Sequence, residues 1–455
     1  MKKLVFKHKM LSAIIFTVFL LTTFIIAIIL LQCEISKPND EVQINTKIYF
    51  SEEWNLTWGG PNGDYGCDLK IAPDGKIYLI GRTYSYGAGN ADIVLVKYHP
   101  NGTKIWNITW GGVGDETGKK MIFDSNGNLY VIGYTSSFKV GNSNLVLIKI
   151  FSNGTIAWNT TWGGPNIDYG MDIIKGTDNM LYTCGWTLSY SLGIYDFSLV
   201  KFYDNGTKVW NVTWGGTGTD GANGIVEDSN GYFYVTGFTA SYGYNGSTDM
   251  AILKFDSDGN IIWNKTWGGS EYDIGEDLII GNDGNIYVAG TTESYSSGLG
   301  DAALVKFSTD GILLNNISWG GMNQDVGNVI DVDNSGNIYI AGSTESYGAG
   351  NKDLAVLKYW SNETLTLGKL WGSVNEERVT GIDISNDNYI YSCGSTNNTK
   401  DGDYDAFLVK FKINVPQTTT TSAYIPGFEL IFIIMGLFAL LFLCKSKKTN
   451  INFKK

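Results

Sequence analysis

The chain has 455 residues, with 57 Gly, 7 Pro, 14 Trp and 27 Tyr, a composition that suits short aromatic strands joined by glycine turns rather than helices. Residues 33–427 carry 44 acids (the chain's 45 less Glu429) against 24 bases, a net of −20 that argues against nucleic acid as a partner. His8 and His99 are the only histidines, so a multi-histidine metal centre and His-dependent hydrolysis lack their parts.

In chain order, residues 1–32 read as a signal or anchor helix. Lys2, Lys3, Lys7 and Lys9 precede an apolar run from Leu11 to Leu31, long enough to cross a bilayer with its basic end in the cytoplasm. Residues 33–46 are a linker, 47–413 the repeat region and 414–427 a Thr-rich stalk. Residues 428–444 are read as a second transmembrane helix and 445–455 as a basic cytoplasmic tail. These flanks predict that the middle lies outside the cytoplasm, anchored at the cell surface.

The middle repeats one phrase. WNLTWGG (54–60), WNITWGG (106–112), WNTTWGG (158–164), WNVTWGG (210–216) and WNKTWGG (263–269) are followed by weaker copies around Trp319 and Trp371. The second Trp recurs every 52 or 53 residues, and a fixed period of this length implies a repeat architecture. Within residues 63–110 four strand-like runs appear, YGCDLKIA, KIYLIGRT, ADIVLVKYH and TKIWNITW, joined in part by PDG and PNG turns. The third run is apolar on both faces, so its sheet must be covered on both sides. The predicted fold class is therefore all-β: a seven-bladed β-propeller of four-stranded antiparallel blades, with one apolar helix at each end of the chain. The seventh unit lacks a fourth strand, whereas an orphan, IYFSEEWNLTW (48–58), precedes the first. That strand is expected to complete the last blade and close the ring. Alternation places Trp106, Ile108 and Trp110 on the buried face of the outer strand and Asn107 and Thr109 on the other.

The pattern W-G-G-x3-D, N-I-Y-V-x-G-x-T-x-S, D-x-x-L-x-K-F and N-G-T-x-x-W resembles the SBBP-type β-propeller repeat of bacterial and archaeal surface proteins, a class that implies a fold and no single activity. The Thr-rich stalk, Ile425-Pro426-Gly427-Phe428, apolar run and basic end resemble the PGF-CTERM sorting segment of archaeal surface proteins, in which the helix is exchanged for a lipid. A plain membrane anchor is the alternative reading.

Positions common to all blades are expected to build, and positions that break the symmetry to bind. An acid follows each second Trp by six residues: Asp64, Glu116, Asp168, Asp220, Asp273, Asp325 and Glu377. With the loop aromatics Tyr86, Phe138, Tyr190, Tyr242, Tyr295 and Tyr347 these acids form a rim that could bind cations or sugars; the favoured reading is structural, each carboxylate accepting hydrogen bonds from its own Gly-Gly turn. The second strand ends with Arg82, Tyr134, Trp186 and Phe238 in blades one to four but Thr291, Ser343 and Ser395 in blades five to seven. The first four are the candidate ligand-binding residues, a stacking platform for a sugar ring or a peptide side chain. N-x-S/T acceptors for glycan occur at Asn55, Asn101, Asn107, Asn153, Asn159, Asn205, Asn211, Asn245, Asn264, Asn316, Asn362 and Asn397. The hairpin-like DVDNSG (331–336) lacks the Glu of a calcium loop, and no catalytic residue, metal ligand or cofactor site is assigned.

The reading that results is a non-catalytic, surface-anchored binding module, not an enzyme. It touches the membrane through its terminal helices and takes a glycan or an envelope protein on its loop face. The alternatives are a purely structural glycosylated envelope protein and a polysaccharide-active enzyme using two rim carboxylates.

Overall fold

The computed structural model describes residues 49–138, 141–397 and 403–414, with residues Ile48–Asn414 forming one compact unit. It has seven four-stranded antiparallel sheets. After β1 (Tyr49–Trp58), blade one is built from β2 (Asp64–Ile71), β3 (Ile77–Thr83), β4 (Asp92–Tyr98) and β5 (Lys104–Trp110), in order from the axis outward. Strands β6 (Glu116–Phe123) to β25 (Leu365–Trp371) build five more blades in the same order. The seventh has only β26 (Glu377–Ile384), β27 (Tyr389–Thr396) and β28 (Asp405–Asn414) of its own.

β1 supplies the missing outer strand. It pairs antiparallel with β28 from Tyr49↔Asn414 to Trp58↔Ala406, with a bulge between Glu52 and Trp54, so the first strand of the chain hydrogen-bonds to the last. Closure abolishes the free edge that β28 would otherwise present.

The terminal helices read from the sequence need correction. Among the described residues there is no α-helix, only a three-residue 3-10 turn at Tyr244–Gly246, and no helix long and apolar enough to cross a membrane. Both apolar segments, the linker, the stalk and the basic tail lie outside the described residues, so one apolar helix at each end is not part of the observed fold.

The blades stack through their apolar faces, and each core cluster joins neighbours. One unites Tyr78, Ile80, Ile93 and Leu95 of blade one with Met121, Leu129, Val131 and Val146 of blade two, and the Trp106, Ile108 and Trp110 face packs against it. Burying one such aromatic ring removes on the order of 200 Å² from water. Each third-strand lysine lies over the second-strand tyrosine of its own blade, from Lys97 over Tyr78 at 4.8 Å to Lys410 over Tyr391 at 5.1 Å. This contact accounts for the recurrence of both residues.

Each inner strand carries a bulge at one register position, between Gly66 and Asp68 in blade one and between Gly275 and Asp277 in blade five. A bulge re-aims the side chain it holds, here Cys67, Lys119, Met171, Asn223, Glu276, Asn328 and Thr380 around the ring. Carboxylates of the same strands clamp neighbouring blades. Met121 N–H donates to Asp68 (3.0 Å), Ile225 N–H to Asp172 (2.9 Å), Ile384 N–H to Asp331 (2.9 Å) and Ile71 N–H to Asp383 (2.6 Å).

Candidate binding site on the loop face

The rim acids stand at the first position of each inner strand and are fully buried. The Gly164 N–H donates to Asp168 Oδ2 (2.8 Å), Ser189 Oγ donates to the same oxygen (2.6 Å), and Thr187 Oγ1 donates to Oδ1 (2.5 Å). The backbone donor recurs at Gly60, Gly112, Gly216, Gly269 and Gly321, and from Ser373 in blade seven. Each acid therefore joins the crossing between blades to the following second-to-third loop. Glycine is required at the first crossing position: a Cβ on Gly111 would lie 1.9 Å from Asp92 Oδ1 and 2.6 Å from Glu116 Oε2.

The loop aromatics serve the same junction. Tyr86, Tyr190, Tyr242, Tyr295 and Tyr347 each pack on the second Trp of the preceding blade and donate the phenol hydroxyl to the carbonyl of the first crossing glycine, as Tyr86 does to Gly59 (3.1 Å). Phe138 packs on Trp110 without a hydroxyl to donate.

The four candidate ligand-binding residues occupy the next-to-last position of their strands, opposite the second residue of each inner strand: Arg82↔Tyr65, Tyr134↔Thr117, Trp186↔Tyr169 and Phe238↔Gly221. Tyr134 meets Tyr169 at 4.4 Å between ring centroids, Tyr169 meets Trp186 at 6.1 Å, and Trp186 meets Phe238 edge-on at 5.3 Å. Trp186 Nε1 donates to Asn223 (3.2 Å). Phe238 is only 7% exposed and backs the platform instead of forming its surface. Arg82 lies 4.6 Å from the centroid of Tyr65 and 5.5 Å from that of Tyr84.

Arg82, Tyr134 and Tyr169 come together in one pocket of about 340 Å³ across blades one to three, with Tyr84, Asp115, Thr117, Ser136 and Asn142 completing much of its wall. At the equivalent positions Thr291, Ser343 and Ser395 are buried, and Ser343 donates to Glu377 O (3.1 Å) while accepting from Val379 N–H (3.1 Å). A larger groove of about 470 Å³ lies beside β1, lined by Trp58, Gly59, Tyr86 and Asn107 among others. These are repeat positions present in most blades, so that groove carries no signal of its own.

Tyr65, Tyr84, Tyr169 and Lys119 were not singled out from the sequence. Tyr65 and Tyr169 do break the repeat, standing where blades five and six have Ile274 and Val326. The charged interior was also not anticipated. Lys120 of blade two reaches Asp277 of blade five at 3.5 Å and Asp68 of blade one at 3.9 Å. Burial alone would lower its pKa, but Asp277, Asp68 and Asp172 together push it up. Glu276 is pushed up to about 7, first by burial and then by Asp277, with Lys119 opposing. Burial likewise raises Asp331 to about 7, against the pull of Lys70. Among the described residues no group of three or more His, Cys, Asp or Glu could hold a metal ion, and Cys67, Cys184 and Cys393 are free thiols. The sequon asparagines are exposed except Asn211 and Asn397, which are half-buried.

Comparison with known proteins agrees with the fold. Residues 110–139 match the SBBP β-propeller repeat, and residues 72–104 and 281–313 match a β-propeller domain of unknown function, DUF5122. The chain thus carries propeller repeats of these kinds. A curated relative, regulatory protein FlaEY of Caulobacter vibrioides, is 24% identical over 189 residues, and the match covers 34% of this chain and 20% of that protein. Solved structures of similar fold include polysaccharide lyase Uly1 (TM-score 0.47, 11% identity, 83% of this chain and 94% of that one). They also include BamB from Moraxella catarrhalis (0.40, 12%, 80% and 99%) and the propeller domain of the Trilobed protease from Pyrococcus furiosus (0.45, 9%, 80% and 98%). These likenesses speak to fold alone.

Proposed function

We propose that the ring is a non-catalytic binding module outside the cytoplasm, presenting the Arg82–Tyr134–Tyr169 pocket to a cell-surface ligand, a glycan or an envelope protein. One observation carries this reading. In a ring whose crossings, rim acids and loop aromatics repeat nearly unchanged, the loop face opens into a half-buried aromatic pocket at blades one to three, whereas the matching positions of blades five to seven are filled with small buried residues. Aromatic walls with a few polar groups are the usual make-up of a small-ligand site. Exposed sequons on outer strands and hairpin tips support a location outside the cytoplasm.

The test is binding of full-length protein to a panel of polysaccharides and envelope proteins, alongside Tyr134→Ala/Trp186→Ala. Saturable binding lost in the double variant supports the reading. Binding that survives the double variant places the site elsewhere and contradicts it.

A further inference from the structure

We infer that the pocket takes an acidic saccharide, a pyranose bearing a carboxylate, with Arg82 as the carboxylate's partner. This rests on the binding role proposed above and narrows it to a ligand class.

The inference starts from two arginines in matching surroundings. Arg378 in blade seven lies 4.8 Å from the Tyr404 ring centroid and is held by Glu376 at 3.0 Å. Arg82 in blade one lies 4.6 Å from the Tyr65 centroid, and Tyr65 stacks in turn on Tyr404 at 5.5 Å. The two cation–aromatic units thus adjoin through the Tyr65–Tyr404 stack. They differ in the carboxylate: Glu376 stands immediately before the rim acid Glu377, and the same place before Asp64 is Gly63. Among the described residues Arg82 has no carboxylate within ion-pair distance.

Many lysines of the ring also stand outside ion pairs, but what sets Arg82 apart is its contrast with Arg378, the chain's other arginine, which sits on a tyrosine in the same way and has Glu376 as its partner. A half-buried guanidinium held between tyrosines has lost much of its water, and its planar fork suits a carboxylate. Lys119 adds a second positive charge, 6.0 Å from the Tyr134 ring centroid and also outside the ion pairs. Sugar recognition follows from the other walls. Tyr134 and Tyr169 supply ring surface, and Thr117, Ser136 and Asp115 supply hydroxyl and carboxylate groups suited to sugar hydroxyls. Asp115 in the wall also discriminates, because it disfavours anions that cannot set their charge on the Arg82 side.

The experiment is calorimetric titration of full-length protein with oligogalacturonate, oligoguluronate and hyaluronan oligomers, each beside its carboxyl-reduced counterpart. At least one acidic oligomer should bind saturably, with its reduced form weaker by about tenfold or more, as expected for a lost charge-assisted hydrogen bond. Arg82→Gln should erase that preference, weakening the acidic form by more than the reduced form. Tyr134→Ala should weaken both forms. Equal binding of acidic and reduced oligomers, unchanged by Arg82→Gln, would overturn the inference and leave the binding role standing. Binding of poly-glutamate with no saccharide bound would overturn the sugar class. Failure of the folded protein to bind any of these probes would overturn the inference, and the panel in the preceding section would then decide the role itself.

Discussion

The side chains that recur in every blade are spent on the junctions between blades. Asp168 shows what one of them does, since its two oxygens receive donors from the crossing, the strand end and the loop. Replacing it by Asn turns one acceptor oxygen into an NH₂ group facing buried donors, and Asp168→Asn should cost about 2–4 kcal/mol in urea denaturation. Glu276 makes a different prediction, because its carboxyl sits higher in the fold, at about 7, than its ordinary 4.5. A raised carboxyl pKa favours the neutral form, so its contribution is fully present below pH 4.5 and is lost as pH rises through about 7. Glu276→Gln should therefore be more stable than the parent by roughly 1–3 kcal/mol at pH 8 and equally stable at pH 4.5, as read by urea denaturation. A parent that is equally stable across this range relative to the variant would contradict the assignment.

Among the elements, the outer strand was the easiest to read and the inner strand the hardest. WNITW declares its alternation, its period and its turn, so its sequence alone assigns Trp106, Ile108 and Trp110 to the packed face they occupy. The inner strand hides its geometry because a bulge shifts register after its third residue, and sequence alternation cannot say which side chain then meets which neighbour. No sequence spacing therefore brings Lys120, Asp68 and Asp277 together, as the ring does. The aromatic-to-small switch from Trp186 to Ser395 is legible, and Tyr65 and Tyr169 break the repeat as well, but the contacts of Tyr169 with Tyr134 and of Tyr65 with Tyr404 arise between blades, where no sequence spacing brings them together. The clasp strand gives a direct test of an element. Without Tyr49–Trp58, β28 would expose an unpaired edge and the core around Phe50 and Trp58 would be opened. Deleting it should lower the melting temperature by on the order of 10 °C or prevent cooperative unfolding, as followed by circular dichroism.

At the scale of the whole molecule, seven similar blades have to behave as one domain, and two features make that so. Closure by β1 joins the ends of the repeat region, and Lys120 ties blade two to blade five across the ring. Lys120→Ala would leave buried Asp68 and partly buried Asp277 without their cation, and because the lysine and Asp277 retain some exposure the expected loss is about 2 kcal/mol in chemical denaturation. Against this cooperative, nearly symmetric frame the pocket is an exception confined to one sector, and the account depends on that exception being the functional part. The most direct measurement is ligand binding by full-length Tyr134→Ser, which gives blade two the residue of blade six, with Ser343→Tyr in blade six as the control. The account predicts that Tyr134→Ser weakens binding by about tenfold or more while melting within a few degrees of the parent, and that Ser343→Tyr leaves affinity unchanged. Undiminished binding by a well-folded Tyr134→Ser variant would contradict it.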